Sequence, residues 1–303
     1  MKKNQSTDFS VSVIIPNFNG EALLKKNIPI FLRAKNFAGN KIEEIIIVDD
    51  GSSDNSAKFI KSNYPEIKLI RHTKNRGFSA SVNTGARMAK GDLIALLNTD
   101  VLPEEDFLFS LLPRFSDESV FAVSMHEKNY TWARGRFKDG YIQIEPGDET
   151  DESHISFWVS GGSGVFRKSM WKELGGMDEK LLSPFYWEDI DICYRAAKRG
   201  WKILWDPDSH VEHKHESTIG KLPKKYVERI RERNQLLFTW KNLQSPGLIR
   251  KHFLGLFARL VKHPGYIKVL FMTLPRLRQV LKLRAKEKKE SKVSDEIIFS
   301  RFK

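Results

Sequence analysis

Four short apolar runs in the first hundred residues, each ending in a polar turn and separated by stretches of helical spacing, constrain this chain more than any other feature. Val11-Ser-Val-Ile-Ile15, Glu44-Ile-Ile-Ile-Val48, Ile67-Lys-Leu-Ile70 and Leu93-Ile-Ala-Leu-Leu97 are rich in β-branched residues and leucine, as buried strands are. Residues 21–34, 54–63 and 79–89 carry apolar residues at helical spacing, with Ser53 or Asp54 available to cap the second stretch. Strand and helix alternating at this period imply βαβ units, right-handed crossovers and a mostly parallel sheet, hence an α/β fold. Beyond them the pattern predicts a helix over 103–115, a strand over 120–125, and a short hairpin with a mobile loop over 126–155. A strand then runs into a glycine-rich turn over 158–166, followed by a helix over 188–198, a strand over 201–205 and a charged amphipathic helix over 224–241.

Composition narrows the classes. A chain of 303 residues buries enough surface to fold without a staple. Its single cysteine, Cys193, excludes a disulfide scaffold or a Cys-based metal site. The apolar run after the polar first ten residues stops at Pro16, short of a signal-peptide core or a membrane span, so a cytoplasmic protein is expected. The net charge is +13, but residues 250–303 hold 15 Lys and Arg against 4 Asp and Glu, leaving 36 against 34 for the rest. The body is nearly neutral and the tail carries the charge. In that tail Phe253, Leu254, Leu256, Phe257, Leu260 and Val261 recur at helical spacing among Arg250, Lys251, Arg259 and Lys262, and Ile267, Val269, Leu270, Phe271, Leu274, Leu277 and Leu281 repeat the mixture among Lys268, Arg276, Arg278 and Lys282. Such interleaving suits a helix lying on an anionic membrane, here its inner face, over residues 250–290. The competing reading is a stripe that packs on the body with its lysines solvated. Nucleic acid is not expected as a partner, because the basic run adjoins strongly apolar stretches.

In an open parallel sheet, ligands bind beyond the carboxyl ends of the strands. Those ends read Pro16-Asn-Phe-Asn19, Asp49-Asp-Gly-Ser-Ser-Asp54 and Asn98-Thr-Asp-Val101. Carboxylates crowded at one rim repel unless a cation is bound, and a hard divalent ion with phosphate oxygens meets that need. A nucleotide-diphosphate pocket follows. Neither the Gly-x-Gly-x-x-Gly turn nor the Gly-x4-Gly-Lys phosphate loop is present, which argues against a nicotinamide or P-loop enzyme.

Over residues 11–217 the chain resembles the family 2 glycosyltransferases of the GT-A fold. The landmarks are Val13-Ile-Ile-Pro-Asn-Phe-Asn19, Ile47-Val-Asp-Asp-Gly-Ser-Ser-Asp54, Asn75-Arg-Gly-Phe78, Leu96-Leu-Asn-Thr-Asp-Val101, Gly175-Gly-Met-Asp178 and Trp187-Glu-Asp-Ile-Asp191, in the family's order and spacing. The resemblance implies a Rossmann-like nucleotide-sugar transferase domain over 1–220, with a donor half about 9–115 and an acceptor half about 116–220, and a basic helical extension over 221–303. It implies that Asp50 binds the donor's base, with Pro16, Asn17, Asn19, Asn75, Gly77 and Asn98 around the donor. Asp100 would hold Mg2+ or Mn2+ on the diphosphate with His213, and Asp189 would be the catalytic base. Gly162, Trp187, Glu188 and Asp191 would serve the acceptor or support the site. Asn98 departs from the usual Asp-x-Asp; family members that transfer rhamnose and related deoxysugars often carry Asn there. An inverting transfer needs a carboxylate that takes the acceptor's proton on the face opposite the departing diphosphate, and Asp189 and Asp100 stand on separate segments as this requires. The implied acceptor is a glycan or lipid-linked hydroxyl.

Plainer roles compete at each position. Glu188, Asp189 and Asp191 could be carboxylates favoured in the first turn of a helix, and Asp49, Asp50 and Asp54 turn-formers or caps. His210, His213 and His215 do not form a closed tetrahedral set if the segment is extended, because His210 faces away from the other two. Trp132, Trp158, Tyr186 and Trp187 are aromatics of a kind more often found in cores, and of these Trp187 stands beside the proposed base. The alternative functions are a non-catalytic protein binding membrane or nucleic acid through its tail, and a nucleotidyltransferase.

Overall fold

The structure, a computed structural model, describes residues 9–128, 130–213, 220 and 222–302. The elements run β1 (Val11–Asn17), α1 (Glu21–Asn36), β2 (Ile42–Asp49), α2 (Ser56–Asn63), β3 (Lys68–Arg71), α3 (Phe78–Met88), β4 (Leu93–Leu97) and β5 (Val101–Pro103). Next come β6 (Val120–Glu127), β7 (Ala133–Lys138), β8 (Tyr141–Pro146), β9 (His154–Ile155), β10 (Ser163–Arg167), α4 (Lys168–Leu174), α5 (Glu188–Lys198) and β11 (Lys202–His213). Five helices follow: α6 (Lys224–Asn242), α7 (Pro246–Lys262), α8 (Ile267–Thr273), α9 (Leu277–Glu290) and α10 (Asp295–Ser300).

The main sheet has the order β3-β2-β1-β4-β10-β6-β11-β5, with β9 on β11. Its first four strands are parallel; β10 enters antiparallel between β4 and β6, and β11 runs parallel to β6. The two-residue period of β1 sorts the core into two layers. Val11, Val13 and Ile15 pack with Leu24, Ile28 and Phe31 of α1, whereas Ile14 faces Val82 and Ala86 of α3. The second layer continues through α5 into Leu237 and Phe238 of α6, Val280 of α9, and Ile298 and Phe302 at the far end. The C-terminal helices therefore complete the core of the α/β body.

Four local expectations are corrected. Residues 103–115 form no α-helix: Pro103 ends β5, turns follow, and a 3-10 turn spans Leu112–Ser116. The backbone groups that a helix would pair internally are taken elsewhere, with Asn40 bonding Glu105 O and Leu108 N, Ser209 donating to Phe107 O, and Glu104 N donating to His210 O. Residues 158–162 are not a strand; the strand follows the glycine turn, as β10. Helix α2 starts at Ser56, and Asp54 serves as acceptor for both Ser56 N and Glu21 N, tying together the first turns of α1 and α2. The strand expected over 201–205 extends to His213, so His210 and His213 share it; His215 lies outside the described residues.

Candidate active site

The carboxyl ends of β1, β2 and β4 meet at one edge. Asn17 stands in register with Asp49 and donates through Nδ2 to Asp49 Oδ1 at 3.0 Å and Ser52 Oγ at 3.3 Å. Its own Oδ1 is buried without a partner. Asn19 adopts the left-handed region (φ 52°), which asparagine tolerates, and its Oδ1 accepts from Ser53 N at 2.8 Å. Pro16 pairs with Val48 within the sheet. These three residues knit the ends of β1 and β2 into one floor.

Asp50 is 3% exposed, and its carboxylate is spent on the neighbouring loop. It accepts from Arg76 N at 2.9 Å, Gly77 N at 2.7 Å and His72 Nδ1 at 2.7 Å; His72 Nε2 accepts from Thr84 Oγ1 at 3.0 Å. Gly51 (φ +71°) brings the turn so close that a Cβ there would lie 2.6 Å from Lys74 C. Asp50 thus shapes the 75–77 loop, and a base reaching this edge meets that loop, where Asn75 is exposed and Gly77 is left-handed (φ +89°). His72 carried no motif; its signal is a histidine one residue beyond β3, facing the end of β2.

One turn joins the other two acids. Asn98 N donates to Gly162 O at 3.0 Å, and a Cβ on Gly162 would come within 2.4 Å of Asn98 Nδ2, so a larger residue there would displace the Asn98 side chain. Gly161 N donates to Asp189 Oδ2 at 3.3 Å. The end of β4 and the start of α5 are thereby tied to the same glycine turn. Asn27 of α1 fixes the same edge from below by donating to Thr99 O at 2.7 Å.

The three acids of α5 have separate surroundings. Asp189 is half-buried at the rim; burial raises its pKa above the usual carboxylate range, against the pull of the Gly161 and Ile190 amides. Glu188 is buried, its Oε2 has no partner, and burial together with the charges of Asp189 and Asp191 holds its proton more firmly still. Asp191 points the other way, into the protein, accepting from Lys241 Nζ, Arg195 Nε and Asn242 Nδ2, each at 2.8 Å. Burial opposes its ionisation, but Lys241 and Arg195 outweigh it and bring the pKa down to about 2. Asp191 anchors α5 and does not reach an acceptor.

Trp187 offers no face to a sugar: it is 8% exposed, with its ring 5.0 Å from that of Phe238. Its role is in the backbone, because Tyr186 and Trp187 are both left-handed (φ 72° and 77°), a costly pair that swings Asp189 onto the rim. Residues of α6 hold this turn. Asn234 Nδ2 donates to Phe185 O at 2.8 Å and Tyr186 O at 3.0 Å, and Arg233 Nη2 to Ser183 O at 2.5 Å. Neither residue was foreseen; the buried Leu236-Leu237-Phe238 run beside them was the available hint.

Asp100 is buried at the start of β5, and β11 lies antiparallel beside it with His213 opposite Val101. His213 Nε2 lies 3.3 Å from Asp100 Oδ1, and its Nδ1 3.2 Å from Glu127 Oε2 at the end of β6. Burial works against the imidazolium, but the two carboxylates more than offset it and raise the pKa to about 9. Among the described residues no three His, Cys, Asp or Glu side chains form an ion cage. Two groups suffice for an ion that keeps phosphate oxygens and water as its remaining ligands. Adjacent ligands of a small divalent ion stand about 3 Å apart, which the Asp100 and His213 pair matches, and a carboxylate on the far nitrogen is the usual partner of a metal-bound histidine. The residues fit Mg2+ or Mn2+. Glu127 was missed in the sequence, where only its place at the end of a strand marked it.

The chain was compared with known proteins. The model of glycosyl transferase family 2 matches residues 12–174. A pre-mycofactocin glycosyltransferase of Mycobacterium tuberculosis is 29% identical over 183 residues, 58% of this chain and 38% of that protein. The N-acetylglucosaminyl-diphospho-decaprenol L-rhamnosyltransferase of the same organism is 23% identical over 236 residues, 65% of this chain and 75% of that one. This chain therefore spans well under half the length of the first relative. Among solved structures, GalNAc-T7 with UDP, GalNAc and Mn2+ matches with a TM-score of 0.62 at 16% identity, over 85% of this chain and 57% of that chain. The mannosyltransferase PcManGT from Pyrobaculum calidifontis, in complex with GDP-Man and Mn2+, matches with a TM-score of 0.55 at 17% identity, over 93% and 86%. At these identities the likeness is one of fold.

Proposed function

The chain belongs to glycosyl transferase family 2 and has the GT-A fold, and from that premise we propose that it is an inverting, divalent-cation-dependent transferase. It moves a sugar from a nucleotide-diphosphate donor to a hydroxyl of a glycan or lipid-linked acceptor. The observation that carries this reading is the Asn98, Gly162, Gly161, Asp189 connection, which holds an ionisable base across a single turn from the strand end that carries Asp100. Asp189 takes the proton of the attacking hydroxyl, and its raised pKa makes it a better acceptor than an ordinary carboxylate. Asp100 and His213 would hold the ion, with Glu127 orienting the imidazole. Mg2+ or Mn2+ held there would supply positive charge to the departing diphosphate. Asp50 keeps the 75–77 loop in place for the nucleotide. Asn98 and the rhamnosyltransferase relative make a deoxyhexose donor the first to try.

The domain lies against the inner face of an anionic membrane through its C-terminal helices. On α7, His252 and Leu256 pack inward while Phe253, Leu254, Phe257 and Val261 are 56 to 69% exposed on the other side. Phe271 and Leu274 continue the exposed apolar face, with Arg250, Lys251, Lys262 and Lys268 beside it. No helix among the described residues is long and apolar enough to cross a membrane. A donor screen with Mn2+ that reads the released product tests the reaction: nucleoside diphosphate is expected, and release of pyrophosphate would mark a nucleotidyltransferase instead.

A further inference from the structure

Between α6, α7 and α9 lies a cavity of about 430 Å3, lined by Thr239, Trp240, Leu243, Ile249, Val280 and Arg284 among others. Its volume is that of an ordinary small-molecule site. Most of its polar groups are engaged within the protein. Thr239 Oγ1 donates to Gln235 O at 2.7 Å, and Trp240 Nε1 donates to His252 Nε2 at 2.9 Å. His252 Nδ1 donates in turn to Gly140 O at 2.7 Å, so the ring is a neutral tautomer, and burial lowers its pKa. Arg284 Nη1 caps α6 by donating to the carbonyls of Trp240 and Leu243. A sugar or base entering here would surrender hydrogen bonds to water and, away from Arg284, find few replacements, at a cost of a few kcal/mol per polar group. A hydrocarbon chain surrenders none and gains burial.

The surroundings narrow the occupant. Phe253 and Leu281, 56% and 60% exposed, stand at the mouth and run on into the exposed apolar side of α7. On α9 the basic residue that lines it is Arg284, whose Nη1 bonds the two carbonyls, while Arg278 and Lys282 are exposed on other faces of the same helix. The head group that fits this rim is therefore anionic. The cavity also faces away from the reaction: Phe238 packs on Trp187 beside Asp189, while Thr239, Trp240 and Leu243 look out from other faces of the same helix. A chain lodged here does not lead its head group to Asp189, which favours a lipid of the bilayer over the acceptor.

We propose that this cavity captures one acyl chain of an anionic bilayer lipid, with the lipid's head group at Arg284 of α9. The source of that lipid rests on the membrane docking argued above. The test uses the full chain with lauroyl lysophosphatidylglycerol below its micellar concentration, read by native mass spectrometry and titration calorimetry. A one-to-one adduct is expected, weakened at least tenfold by Ile249→Trp, which fills the cavity, and by Leu281→Asp, an exposed position whose change leaves the core intact. Phe257→Asp, outside the cavity, should keep the adduct and lose flotation with anionic vesicles. The inference is overturned if the wild-type chain forms no adduct, if Leu281→Asp binds as well as wild type, or if lysophosphatidylcholine binds equally. Tighter binding of an isoprenyl phosphate would likewise overturn it by reassigning the cavity to a lipid-linked acceptor. Wild-type protein that forms the adduct but does not float would sink the docking reading alone.

Discussion

Asp189 must be ionised to accept a proton yet basic enough to want one, and its half-buried place under the Gly161 amide sets that compromise. Asp189→Asn is expected to lower the transfer rate about 10²- to 10⁴-fold while calorimetry still finds donor and metal bound. Near wild-type turnover would remove it from the role. Because burial raises its pKa, the rate should fall on the acid side at a pH above the ordinary carboxylate value of about 4. Glu188→Gln should keep that limb, since Glu188 holds its proton more firmly than Asp189. At the proposed metal site, Asp100→Ala should weaken both Mn2+-dependent donor binding and turnover, and His213→Ala should do so to a lesser degree. Glu127→Gln should cost about 10- to 100-fold in metal affinity, through the histidine it orients. Unchanged metal titrations in all three would place the ion elsewhere. Asp100, His213 and Asp189 were legible in the sequence because family motifs or spacing point to them. Glu127, His72 and Asn234 were not, because what defines them is a partner 86, 22 or 48 residues away.

At the scale of elements, α5 owes its position to one buried ion cluster. Lys241→Met leaves Asp191 with Arg195 as its remaining cation, and a broken buried pair costs about 3–5 kcal/mol, to be seen as a lower melting temperature. The pH dependence has a definite sign. Asp191 has a depressed folded-state pKa, so its contribution is whole above its unfolded value near 4 and is lost as pH falls toward 2. Melting curves of the wild type and Asp191→Asn should therefore converge over that window; a constant gap would show that the carboxylate's charge does not matter. The strands and helices of the first hundred residues were readable because their periodicity is strong and local. The helix expected over 103–115 failed for the opposite reason, since Asn40 and Ser209 claim its backbone and no window of sequence reveals a competitor so distant. The glycine turn before β10 was misread by position only: apolar residues on both sides of it look alike until β4 selects the second as its partner.

For the whole molecule, the sequence leaves the tail between two readings, and in the structure part of its apolar stripe packs on the body while part stays exposed. Val280, Ile298 and Phe302 close the core, while Phe253, Phe257 and Phe271 stand outside it. Phe302→Ala is expected to cost about 3–5 kcal/mol in denaturant titration, a large share of a domain's total stability. Asp295 reinforces the closure, accepting from Tyr194, Lys198 and the amides of Gln244 and Ser245. During synthesis, this arrangement means that a ribosome must deliver residue 302 before the sheet laid down from residue 11 onward can be sealed. Until then the nascent chain carries an open apolar layer in addition to the apolar side of α7 that stays exposed in the finished fold, so the unfinished polypeptide offers a chaperone two hydrophobic surfaces where the mature one offers a single one.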